Sequence, residues 1–174
     1  EDRFNDNETD IPDNTTIRLA DSLNVFDLGA LAPNVTVQKV DYRMLAIDAG
    51  LKYKGCFLQT QYFQRWLDGF QADGPLPVSS IVDKGFYVQA AFYPIKQLLE
   101  LYGATSWVFG DKHAGFKTSW EGLGGANWFF TRSRDIRINA QFIWVDRSPV
   151  SSSFGYYTGG ERGPIISVAT SIFF

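Results

Sequence analysis

The sequence has a single cysteine, Cys56, and a single histidine, His113. One cysteine permits no internal disulfide, and one histidine leaves no cluster of ligands for a zinc site, so both residues are read as structural. No apolar run approaches the roughly 18 residues that a transmembrane helix requires. There is no long basic block and the net charge is -3, so the electrostatic footprint of a nucleic-acid-binding protein is missing. The chain has no initiating Met and no charged-then-apolar leader, which reads as a processed protein or a fragment. The glycine run Gly122-Leu123-Gly124-Gly125 lacks the Lys-Ser/Thr of a phosphate-cradling loop and reads as a place where a strand bends or a neighbour approaches closely. Glu100 and Glu121 fall on different predicted strands with no base, nucleophile or metal ligand beside them, so neither an enzyme nor a cofactor is expected. A membrane β-barrel survives all these absences, because its strands cross a bilayer with only about 9–11 alternating residues.

What is present is apolar and aromatic. Hydrophobic residues make up 45% and aromatics 16% of the 174 residues, too much for a disordered chain and enough for one domain. Acids crowd the start: residues 1–39 hold eight of them against Arg3, Arg18 and Lys39. This stretch, rich in Asn, Asp and Thr, is expected to be a loop or N-terminal extension, partly irregular. Its apolar residues Leu23, Val25, Phe26, Leu28 and Leu31 would pack in a pore mouth or form a loose helix on another part of the chain. The triplets starting at Asn7, Asn14 and Asn34 have the form of glycosylation acceptors, and are read as chance matches.

From residue 40 to 174 turn signals cut the chain into seven segments: 40–53, 56–70, 85–95, 98–109, 119–131, 136–146 and 164–174. Lys54-Gly55 is so short a link that its flanking strands must be antiparallel neighbours. Short links follow the first, third and fifth segments, the third being the tight Arg132-Ser133-Arg134-Asp135 turn. Longer loops follow the second, fourth and sixth. That asymmetry is the pattern of an outer-membrane barrel, with tight periplasmic turns and longer outside loops.

Each segment has one polar and one apolar stripe. The polar stripes hold Asp48, Lys52, Gln59, Gln61, Arg65, Gln89, Glu100, Glu121, Arg137, Asn139 and Gln141, the candidate lumen-lining residues. A soluble sandwich would also alternate. The placement of the rings separates the two readings, because Trp66, Phe70, Phe86, Trp107, Phe109, Trp120 and Trp144 lie toward the loop side of the apolar stripes, with Tyr53, Phe92, Trp128, Phe130 and Phe174 toward the turn side. Small residues such as Ala90, Gly103, Gly122, Gly124, Ala126 and Ala140 lie between. Two aromatic girdles around an apolar band have this form. The stripe Ile166, Val168, Thr170, Ile172, Phe174 would face lipid, with the last ring at the periplasmic interface.

The run DAGLKYKGCFLQTQYF from Asp48 to Phe63, GFYVQAA from Gly85, LELY from Leu99 and the terminal Phe together resemble the C-terminal half of a phosphate-selective porin, over residues 40–174. In that family an acid often stands at the position of Gln61, so the local lumen charge differs here. The resemblance implies an all-β fold, an antiparallel transmembrane β-barrel of which about seven strands are present here. It further implies the outer membrane of a Gram-negative bacterium and passive passage of small hydrophilic solutes, anions such as phosphate among them. Membrane lipid, small inorganic or organic anions and the outer-membrane assembly machinery that reads a terminal Phe are the expected partners, with a homotrimer as a candidate assembly. A small membrane-anchored barrel or adhesin without a pore and a soluble ligand-binding β-barrel are the alternatives.

Overall fold

The computed structural model describes residues 2–5, 17–131, 135–148 and 159–172. All regular structure among them is antiparallel sheet, with no helix. A short strand β1 (Asp2–Asn5) is followed by seven long ones: β2 (Val37–Tyr53), β3 (Cys56–Ala72), β4 (Ser80–Ile95), β5 (Leu99–Phe109), β6 (Thr118–Phe129), β7 (Ile136–Asp146) and β8 (Arg162–Ile172). They pair in sequence order, β1 to β8, each with its neighbour. Among the described residues no ladder joins β8 to β1 or β2.

The connections follow from local chemistry. Lys54 and Gly55 both take positive φ, 45° and 84°, the two-residue turn whose twist matches that of the flanking strands, and Tyr53 pairs directly with Cys56. Between β4 and β5 the chain turns at Gln97 (φ 60°), and the Leu98 amide donates to the Ile95 carbonyl at 3.0 Å. The longer connections, 73–79, 110–117 and the one from Asp146 to Arg162, leave and rejoin the strands at the end opposite these turns. Arg132 to Arg134 of the predicted tight turn, Phe174, and the triplets at Asn7 and Asn14 lie outside the described residues.

Two expectations need correction. β4 begins at Ser80, not Gly85, because Ile81 and Asp83 pair with Leu67 and Arg65 and extend the ladder by five residues. Gly85 is not a strand start: a Cβ there would come within 2.2 Å of the Phe63 ring, which lies across β4 at this point. Phe70 does not join the aromatic row. The alternation breaks at Gly69 (φ 63°), opposite a register shift between Lys39 and Asp41, and Phe70 packs against a buried core instead. Within residues 1–39, read as partly irregular, β1 and the start of β2 at Val37 are the regular parts among the described residues.

That core sits at the loop end. Val40, Leu67 and Ile81 of the sheet are fully buried under Ile17, Leu19 and Val25, with Phe116 of the β5–β6 loop beside them. Each such burial contributes about 1.5–3 kcal/mol. The segment 17–31 forms no helix. It folds back on itself through an Arg18–Asn24 bridge and a Val25 amide bond to the Ile17 carbonyl at 2.9 Å. The abundant acids close its turns: Asp21 accepts from the Leu23 amide at 3.1 Å and Asp27 from the Asn24 amide at 3.2 Å, the local competition with regular structure that Asp favours. Of the five apolar residues expected to pack, Leu23, Val25, Phe26, Leu28 and Leu31, only Val25 is fully buried. Phe26 and Leu31 are partly so, and Leu23 and Leu28 stay exposed.

Candidate functional site

The two faces of the sheet

The in-register ladders place every strand's alternate residues on a common side. One side collects all eleven candidate lumen residues. Asp48 lies opposite Gln61, and Gln59 opposite Gln89. Arg65 lies opposite Asp83, and Glu100 is joined through Asn127 to Asn139. Lys52, Glu121, Arg137 and Gln141 share this side by the same registers.

The other side collects Tyr53, Trp66, Phe92, Trp107, Trp120, Trp128 and Trp144. Phe86, Trp107 and Trp120 stack in a row across three strands, with ring centroids 6.2 Å and 5.5 Å apart, a stabilising cross-strand arrangement. At the turn end Trp128 meets Phe130 at 4.3 Å. Between the two aromatic rows this face carries no Asp, Glu, Lys or Arg on any of the seven long strands. Its charges, Asp41, Arg43, Asp68, Lys84, Asp146 and Arg162, all stand at the loop end. There Arg43 pairs with Asp68, and Asp146 with Arg147 and Arg162. Large side chains on this face are uncovered: Ile166 is 80% exposed and Val168 71%.

The polar face has two unlike ends

At the loop end Arg65 donates from Nε and Nη2 to Asp83 Oδ2 at 2.9 and 2.5 Å, and the Asp83 side chain is 1% exposed. Asp83 Oδ1 accepts from the Asp111 amide at 3.1 Å, and Asp111 Oδ2 accepts from the Val82 amide at 2.9 Å. The β5–β6 loop is thereby tied to β4. Burial alone would raise the Asp111 pKa. Hydrogen bonds from the amides of Val82, His113 and Ala114, together with the His113 charge, outweigh it and hold the carboxyl below its ordinary value. Arg65 was expected to present its charge to a lumen; its partner Asp83 neutralises it.

At the turn end the face is hydrophilic. Asn127 Nδ2 donates to Glu100 Oε2 at 2.8 Å, and Asn139 Nδ2 donates to Asn127 Oδ1 at 2.9 Å and to the Tyr102 hydroxyl at 2.6 Å. The Tyr102 hydroxyl donates to Gln141 Oε1 at 3.1 Å. Tyr102 reaches β7 only because Gly125 of the intervening strand has no side chain: a Cβ there would stand 2.5 Å from the Tyr102 ring and hydroxyl. The glycine run thus serves close approach, as expected from the sequence. Beside this network is a cavity of about 810 Å³ lined from Lys52 of β2 round to Ser171 of β8. Because strands from both ends of the sheet line one cavity, the sheet is strongly curled with its polar face inside.

Sequence reasoning missed Asp83, Asn127 and Lys54 among the residues of this face and its rim. Asp83 was hidden by the assignment of residues 73–84 to a loop, because Ile81-Val82-Asp83-Lys84 does not alternate and only its pairing with β3 shows it to be strand. The link from Glu100 to Asn127 depends on register, which has no local signal. Comparison of the chain with family models, curated proteins and solved structures finds no match.

Proposed function

We propose that this chain forms part of an outer-membrane β-barrel porin of a Gram-negative bacterium, which passes small hydrophilic solutes through a water-filled lumen. The observation that carries this reading is the charge-free apolar face bounded at both ends by aromatic rows. Trp128 lies eight positions beyond Trp120 on β6, about 26 Å along a strand at roughly 3.3 Å per residue, and strand tilt shortens that toward the height of an outer-membrane apolar band, about 25 Å. In water so large an uncovered patch would drive aggregation; in lipid it is the favoured surface, and the polar side chains on the opposite face are spared the cost of burial in hydrocarbon.

Preference for anions, phosphate among them, is supported by the turn-end cavity, whose lining holds Lys52, Lys54 and Arg137 against the single carboxylate Glu100. A confined surplus of cations concentrates anions. Arg65 has no part in this, being paired with Asp83.

The test is conductance and reversal potential of the full chain, with any further strands its gene encodes, in planar bilayers under a salt gradient. Stepwise conductance with anion preference is expected, and Lys52→Glu with Arg137→Glu should reverse the preference. Unchanged reversal potential in the double variant would remove the anion reading. A detergent-requiring protein without conductance would favour the anchor, and a chain monodisperse without detergent the soluble barrel.

A further inference from the structure

We propose that the turn-end cavity is a binding site for small hydroxycarboxylates, with sugar acids as the ligand class. The proposal deepens the pore reading and rests on it only for the route by which the ligand arrives. Three features define the chemistry.

The first is Arg137. Its Nε is buried with no hydrogen-bond partner among the described residues, and its Nη2 has only a long 3.4 Å contact to Ser171 Oγ. An unfilled guanidinium edge matches a carboxylate in two parallel hydrogen bonds, and a buried donor left unsatisfied is costly.

The second is the direction of the Glu100–Asn127–Asn139–Tyr102–Gln141 network. Its bonds run in one sense, from Asn127 to Glu100, from Asn139 to Asn127 and Tyr102, and from Tyr102 to Gln141, and they do not use the second Glu100 oxygen, an acceptor, or the Gln141 amide nitrogen, a donor. A hydroxyl group can donate to the one and accept from the other. A ligand that offers only acceptors cannot satisfy Glu100.

The third is charge. Lys52 and Lys54, held over the rings of Phe57 and Tyr53 at 5.5 and 5.1 Å, stand at the rim, while Glu100 opposes bare polyanions within. The balance favours a monoanion that carries several hydroxyl donors over inorganic phosphate, which is largely a dianion with a single O–H near neutral pH. A cavity of about 810 Å³ accommodates such a molecule.

The experiment is isothermal titration of the full chain in detergent micelles with gluconate, inorganic phosphate and glucose. Gluconate should bind saturably and about tenfold or more tighter than either of the others. Arg137→Gln should weaken gluconate about ten- to hundredfold, the range for hydrogen bonds to a charged group. Glu100→Gln should weaken gluconate while strengthening phosphate, an inversion that loss of structure cannot produce. Arg137→Lys, which keeps the charge without the fork, should still weaken gluconate but leave phosphate unchanged. Phosphate binding as tight as gluconate in the parent protein, no saturable gluconate binding, or a Glu100→Gln variant that strengthens both ligands would overturn the proposal. Titration needs no transport: gluconate binding without bilayer conductance would sink the pore and leave this site, and conductance without gluconate binding would do the reverse.

Discussion

The two faces of this sheet are built from alternate residues of the same seven strands, yet they obey opposite rules. On the apolar side the strands present Ile166, Val168 and Phe142 to the surroundings with nothing from the described chain over them, and charges are confined to the loop-end margin. On the polar side charges occur at every height, and several are held by a partner: Arg65 by Asp83, Glu100 by Asn127. A water-soluble protein would hide the first face and solvate the second. Here the hydrophobic face is the uncovered one, the arrangement that the proposed outer-membrane barrel requires. The comparison also teaches that the polar face is not uniform, since its loop end is closed by an apolar core and a neutralised ion pair while its turn end is open and cationic.

The largest expected effect comes from breaking the polar face where it is driest. Asp83→Ala leaves the Arg65 guanidinium largely buried without its carboxylate, and loss of one partner of a buried pair costs about 3–5 kcal/mol. Urea unfolding of the protein in detergent micelles measures it, and Arg65→Met combined with Asp83→Leu should recover most of the loss. A near-neutral single variant would mean that water reaches Arg65 and that the loop end is not closed.

Next comes a test of the faces at neighbouring positions. Ala90 and Gln89 point to opposite sides of β4, at the height of Gly103 and Ala104 on β5. In lipid vesicles Ala90→Arg should cost about 2–4 kcal/mol, the range for arginine near a bilayer midplane, whereas Gln89→Arg should change stability by less than about 1 kcal/mol. Equal effects would remove the assignment of the apolar face to lipid.

The smallest effect concerns the loop tether. Because Asp111 is held below its ordinary pKa, its contribution is fully present above the unfolded aspartate value of about 3.9 and is lost as pH falls through the lower folded value. Amide exchange at Val82 and His113, whose N–H groups Asp111 accepts, should accelerate relative to the rest of the sheet below about pH 4. Uniform acceleration across the sheet would show that Asp111 does not act locally. The Asp111→Asn variant should lose the local effect while keeping the fold.

The sequence by itself carried the division into strands and the assignment of side chains to faces. Alternation is a local property of extended chain, and Lys54-Gly55 and the polar linkers mark where it stops. For that reason Gln59, Gln89 and Gln141 could be grouped on one face, and Trp107, Trp120 and Trp144 on the other, before any pairing was known. Tertiary structure decided which of those residues meet. That Arg65 faces Asp83 and is neutralised, that Tyr102 crosses Gly125 to reach Asn139 and Gln141, and that residues 17–31 fold over Leu67 and Ile81 all depend on register and on contacts between segments far apart in the chain. Period two is insensitive to those choices: sliding a strand by two residues keeps every side chain on its face and changes every partner it has.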